Sequence, residues 1–145
     1  MLFRYQLISN YGSKMMTFLP FPDIETSLRS LDYRRLGKQR VEAYQIWRTL
    51  KGLSHGWKNH PAVKMWRGHE CYLALYHNAC IDEWILRGYV NNMKHLPHCS
   101  KPCPPRWWGN KDVHMSHQAS LNRKQPSHYH FKASQEEYPA YVWPS

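Results

Sequence analysis

The chain has 145 residues, with twenty Lys or Arg against ten Asp or Glu, giving a formal charge of +10 at pH 7. That length suits one domain with a real core, and the charge favours a polyanionic partner. No apolar run is long enough to span a bilayer, and residues 1–15 lack the apolar block of an export signal, so an intracellular protein without a membrane partner is expected.

Seven Trp and ten Tyr are interleaved with the bases. A membrane-surface protein would gather its bases on one amphipathic helix, so this mixture suits nucleic acid better. The four cysteines, Cys71, Cys80, Cys99 and Cys103, are then expected as reduced thiols.

Residues 1–15 differ in character from the rest of the chain and are expected to be an extension outside the domain of 16–145. Thr17 to Pro22 reads as extended, because a residue before proline is pushed out of the helical region. Asp23 is placed to cap a short helix that buries Ile24, Leu28 and Leu31. A second helix is predicted over 33–50, with Leu36, Ala43, Trp47 and Leu50 on one stripe and Ile46 at its edge. Arg35, Lys38 and Glu42 fall off that stripe. Arg40 falls close to it and should be partly buried or project past it. Gly52 ends the helix.

Asn59 or His60 caps the third and longest predicted helix, which Pro61 opens and Arg87-Gly88 closes. Val63, Trp66, Leu73, Tyr76, Cys80, Trp84 and Ile85 recur along it at helical spacing and are assigned to the core. A loop rich in His and Pro runs from Asn91 to Gly109. Its Pro104 to Trp108 segment should pack on the body. A short helix is predicted from Ser116 to about Lys124. Tyr138 to Pro144 reads as an extended tail, with Tyr141, Val142 and Trp143 packed inward. The expected fold is all-α: a compact single domain of three main helices plus a short C-terminal helix, with long loops.

Between Tyr33 and His69 there are nine Lys or Arg and a single carboxylate, Glu42. Basic groups can hold a phosphate backbone while a lone acid moves protons. Lys38 and Glu42 lie at i and i+4, a spacing that serves a plain ion pair equally well. The acids are too scattered for the carboxylate cluster that a metal-dependent nuclease needs. His95, His98, Cys99 and Cys103 match no strong zinc pattern. No phosphate-binding loop, dinucleotide fingerprint or nucleophile elbow occurs, and no cofactor is expected. What remains is amine chemistry: an uncharged amine attacks a sugar carbon to form a Schiff base, with a carboxylate assisting. Two amines are candidates, the Lys38 side chain or a chain terminus folded against Glu42.

The run from Thr17 to Glu42, then Gly56-Trp57-Lys58-Asn59-His60-Pro61 and Arg87-Gly88-Tyr89, resembles the pyrimidine-dimer DNA glycosylase family of the phage endonuclease V type. Ser116-His117-Gln118, Leu121, Arg123-Lys124, Pro126 and His128-Tyr129 extend it. Thr-Phe-Leu-Pro, Leu-Gly-Lys-Gln-Arg-Val-Glu and the ending Tyr-Val-Trp-Pro are most like an uncharacterised bacterial branch of that family. The resemblance covers about 17–144. It implies a compact helical fold that kinks duplex DNA and flips a base out of the stack, with glycosylase and abasic-site lyase steps. It implies Glu42 as the catalytic acid. It also implies the amine of a threonine exposed by loss of the initiator Met as the nucleophile. Met16-Thr17 offers that pair, although Thr17 carries sixteen residues before it.

The expected DNA contacts are Arg35, Arg40, His60, Arg67, His117, Arg123 and Lys124. The leading expectation is therefore a monomeric repair glycosylase acting on damaged double-stranded DNA, in the cytoplasm or nucleoid or, for a virus, in the host cell or virion. A basic DNA-binding module that kept the fold without the chemistry is the alternative, followed by an RNA-binding or virion-packaging protein.

Overall fold

The structure, a computed structural model, describes residues 15–144 together with the backbone of 3–5. It is all-α apart from one short strand pair. The rest of the proposed extension of 1–15 lies outside the described residues up to Met15, which is already buried. No helix among the described residues is long and apolar enough to cross a membrane.

Helix α1 covers Ile24–Ser30. Its start follows from Asp23, whose Oδ2 accepts the Thr26 amide proton at 2.9 Å and so satisfies a helix-end donor. Leu28 and Leu31 are buried, as their spacing requires. Helix α2 covers Tyr33–Leu50, with Asp32 as its cap. Its buried face is Leu36, Gln39, Ala43 and Ile46. The inward stripe is thus turned from the expected one: Ile46 is central, whereas Trp47 and Leu50 are only half-buried. Gln39 makes the turn possible, because all its polar capacity is met inside.

The long third helix expected from Pro61 to Arg87 is two helices. Helix α3 is a single turn, Pro61–Lys64, and α4 runs Glu70–Leu86. Gly68 stands between them with φ +84°, a conformation that Cβ sterics disfavour for other residues. The apolar register survives the break, so Val63, Trp66, Leu73, Tyr76 and Cys80 are all buried, while Ile85 is exposed. Helix α2 packs along α4, with Gly37 against the Trp84 ring; a Cβ at Gly37 would lie 3.0 Å from that ring.

The last helix is longer than expected. Helix α5 covers Lys111–Lys124, starting five residues before Ser116. Asn110 sets this start, since its side chain accepts the amide protons of Asp112 and Val113. The connection before it packs on the body through Trp107, whose indole N–H donates to the Met65 carbonyl at 2.8 Å. The cysteine expectation is corrected here: Cys71 and Cys99 are joined as a disulfide, and Cys80 and Cys103 are free. The bridge ties the start of α4 to the 91–109 loop, two segments that the fold lays side by side. In the tail, Tyr141, Val142 and Trp143 are buried, and Val142–Pro144 forms strand β2, antiparallel to strand β1, Phe3–Tyr5.

Candidate active site

One turn of α2 and the extended segment before α1 make the site. Gln39 lies between them. Its Nε2 donates to the Met16 carbonyl at 2.9 Å and to Glu42 Oε2 at 3.1 Å. Its Oε1 accepts from the Phe18 amide at 2.9 Å and from the Tyr76 hydroxyl at 2.6 Å. Bonds on every side hold the amide in one orientation. The Met16 amide donates to Glu42 Oε2 at 3.3 Å. The backbone around Thr17 is therefore pinned beside the carboxylate, and the Thr17 hydroxyl is fixed in turn by the Trp66 indole N–H at 2.9 Å. The Thr17 nitrogen is bonded directly to the Met16 carbonyl carbon that Gln39 holds.

A cavity of about 200 Å³ opens over this arrangement, lined by Met16, Phe18, Arg35, Lys38, Gln39, Glu42, Lys124 and Tyr141. Burial pushes the Glu42 carboxyl up to about 7; the hydrogen bonds from Met16 and Gln39 and the fields of Lys38 and Lys124 oppose that rise without cancelling it. A carboxyl that titrates near neutrality serves either as acid or as base. Glu42 is the one acidic wall in a basic chamber, and Tyr141, whose hydroxyl accepts from Ser120 Oγ at 2.9 Å, also lines it. Burial raises the Tyr141 phenol to about 12, keeping it a neutral donor.

The chamber leads outward into two larger grooves. One, of about 830 Å³, runs over Arg34, Arg35, Gly37, Lys38, Val41, Glu42, Gln45 and Gln125. The other, of about 840 Å³, shares Arg34 and adds Arg29, Arg87, Lys124 and His128 together with the carboxylates Asp32 and Glu83, of which Glu83 is ion-paired to Arg87 at 2.8 Å. Arg35 is oriented by Asp32 Oδ1 at 3.1 Å and Gln125 Oε1 at 2.8 Å. Burial disfavours the Asp32 carboxylate, but hydrogen bonds from Tyr129 and Arg35 outweigh that and hold its carboxyl below the usual range.

The structure thus gathers Thr17, Arg35, Lys38, Glu42 and Lys124 in one place. It sets the other expected residues elsewhere. The Arg40 guanidinium lies 4.3 Å over the Trp84 ring and donates to Asn91 Oδ1 at 2.7 Å. Arg123 is exposed but donates to the Tyr138 carbonyl at 2.9 Å. Arg67 is exposed beside Lys58. His60 and His117 are interior residues that serve the backbone. His60 Nδ1 accepts from Ala62 at 3.0 Å to cap α3, and His117 Nδ1 accepts from Leu19 at 3.0 Å. Burial, helped by His114, pushes His117 down to about 3, so it is neutral and offers a phosphate no charge. Sequence reasoning missed Gln39, Arg34, Gln125 and Tyr141. The one available cue was a glutamine inside the α2 apolar stripe, because a polar residue there needs buried partners.

No curated protein and no solved structure matches this chain. A family model described as pyrimidine dimer DNA glycosylase matches residues 15–97. That span includes the Met16-Thr17 segment, Gln39 and Glu42. It takes in more than half of the 145 residues, and the chain belongs to the pyrimidine dimer DNA glycosylase family.

Proposed function

We propose that this protein is a DNA repair glycosylase with abasic-site lyase activity, using Schiff-base chemistry assisted by Glu42. The observation that carries the reading is the Glu42 carboxyl, titrating near neutrality inside a basic chamber, within hydrogen-bond reach of the Met16 amide. An uncharged amine attacks the anomeric carbon of the sugar and displaces the base. The bond from that carbon to the ring oxygen then breaks as the amine nitrogen gives up its protons and the imine forms, with protonated Glu42 supplying the proton that the ring oxygen takes. Glu42 then takes a proton from the neighbouring carbon, and the 3′ phosphate leaves. Lys38, Arg35 and Lys124 hold the phosphates on either side. The cavity beside Glu42 admits a sugar but not a stacked base pair, which suits a nucleotide turned out of the duplex. Damaged double-stranded DNA is the proposed substrate.

Two amines compete. A chain beginning at Met16, with that Met removed, would present the Thr17 α-amine where Gln39 and Glu42 now hold the peptide. An α-amine is far more often neutral at pH 7 than a lysine amine, which favours Thr17 over Lys38. In the 145-residue chain the same nitrogen is an amide and cannot attack. That observation favours the second reading, a DNA-binding protein without chemistry, for the full-length form.

Borohydride trapping on abasic DNA separates these accounts. Chains starting at Met1 and at Met16 are compared, each with and without Lys38→Ala. Trapping by the shorter form alone, insensitive to Lys38→Ala, is the expected result. Equal trapping by both lengths, lost with Lys38→Ala, makes Lys38 the nucleophile. No trapping by any form leaves the binding protein.

A further inference from the structure

The turn after α2 has the features of a second contact with DNA, separate from the Glu42 chamber. Trp57 is the only residue other than glycine with positive φ among those described, at 66°. A bulky side chain is rarely held in that region unless its surroundings impose it. They do so here. Leu53 and Arg48 exchange two hydrogen bonds, from the Leu53 amide at 2.9 Å and to its carbonyl from the Arg48 guanidinium at 3.2 Å. The Thr49 hydroxyl donates to the Gly56 carbonyl at 2.8 Å, and the Trp57 carbonyl accepts from the His60 amide at 2.8 Å. The loop is a fixed projection from the end of α2.

What it projects is apolar. Trp57 is 46% exposed and Leu53 is 59% exposed, although a buried site for either would have been the cheaper arrangement. What surrounds it is cationic. Arg48, Lys51, Lys58 and Arg67 are all exposed, and no carboxylate occurs in the sequence between Glu42 and Glu70. Apolar tips in a stretch of chain that carries exposed cations and no carboxylate complement a polyanion whose interior is made of flat rings.

The loop is also connected to the chamber. Trp57 meets His60 edge to face at 5.7 Å, His60 meets Trp143 at 6.2 Å, and Trp143 meets Tyr141 at 5.5 Å. Tyr141 lines the chamber together with Glu42, and the two feel each other's field. The projection therefore stands at the outer end of a packed aromatic row whose inner end faces the carboxylate.

We propose that Trp57 is a stacking wedge, which rests on a base that has left the duplex stack while Lys58 and Arg67 hold the neighbouring phosphates. The proposal rests on the DNA-repair reading but not on its chemistry. An apolar side chain set against a base step lowers the cost of holding that step open. Its rigid loop adds little ordering cost on binding.

The test is equilibrium binding, with Glu42→Gln in every protein so that no DNA is cut. The probes are a fluorescent duplex with a tetrahydrofuran abasic analogue, with 2-aminopurine beside it, and the same duplex intact. Trp57→Gly removes the ring and relieves the backbone; Trp57→Phe keeps a ring. Loss of one stacked base should weaken binding of the abasic duplex by roughly 5- to 100-fold in Trp57→Gly. The salt slope should stay unchanged, and Trp57→Phe should recover most of the loss. The 2-aminopurine emission should respond differently in wild type and Trp57→Gly. Lys58→Ala should instead flatten the salt slope by about one unit. Equal affinity and equal 2-aminopurine emission in wild type and Trp57→Gly would overturn the wedge while leaving the Glu42 chemistry standing. Failure of every protein to bind either duplex would overturn both.

Discussion

At the Glu42 carboxyl, burial and hydrogen bonding act in opposite directions, and burial prevails: the group titrates at about 7 instead of 4.5. Between those two values the folded protein holds a proton that the unfolded chain has released. Stability therefore falls as pH rises through that window and stays lowered above it. Glu42→Gln removes the dependence. It should leave stability near pH 4 almost unchanged and raise it at pH 8 by roughly 3 kcal/mol at most. Urea denaturation at the two pH values checks this; equal differences at both would mean the carboxyl is not buried in solution. The same substitution should keep DNA binding and abolish strand cleavage. Cleavage by the chain that starts at Met16 should rise through about pH 7 as the carboxylate appears. A residue that is good for stability here would be poor for chemistry, since the ionised form that takes the proton is the form the fold disfavours.

Helix α2 brings most of the site together, and its packing on α4 depends on Gly37. Alanine there would gain about 1 kcal/mol of helix propensity. It would also set a methyl group 3.0 Å from a Trp84 ring that has little room to move. Tyr89 stacks on that ring at 4.3 Å, Arg40 lies on it, and its N–H donates to Val90 at 2.9 Å. Gly37→Ala is expected to destabilise by about 1 kcal/mol net, because overpacking a constrained ring outweighs the propensity gain; denaturant midpoints decide the sign. The sequence made α2 legible through its apolar spacing and the glycine that ends it, and it marked Glu42 as a lone acid among bases before the family resemblance pointed to the same residue. It also showed the extended 17–22 segment and the inward-packed tail. The break at Gly68 was not legible, since Val63, Trp66 and Leu73 stay in one helical register across it. Nor was the Cys71–Cys99 pair: it depends on how a long loop returns to α4, which spacing does not encode. Gln39 escaped for a related reason. Of its four partners only Glu42 lies on the same helix; the others, a backbone carbonyl, an amide and a tyrosine hydroxyl, are drawn in from other elements.

Across the molecule, the basic residues divide into those that face the grooves and those that hold the fold. Lys38 and Lys124 line the chamber and the grooves beyond it. Replacing either with alanine should weaken binding to all sequences alike and flatten the salt slope by about one unit. Arg40→Ala should behave differently. Its guanidinium is committed to Trp84 and Asn91, so the loss should fall on stability, by about 1–2 kcal/mol, with the salt slope unchanged. Titrating the three variants against one duplex at several salt concentrations separates the two roles. A flattened slope in Arg40→Ala would place that side chain on the phosphates after all.

Met16 and Thr17 are 1% and 0% exposed, and hydrogen bonds hold the backbone on both sides of the bond that joins them. A protease needs several residues of extended, accessible chain, and the folded protein offers none at that bond. Whether the nitrogen of Thr17 is an amine or an amide is therefore fixed at that bond while the native core stays closed, and cleavage there would have to wait for the fold to open. A chain that carries residues before Thr17 and one that begins there would be distinct proteins for as long as each stays folded, differing in the charge that a single nitrogen can carry.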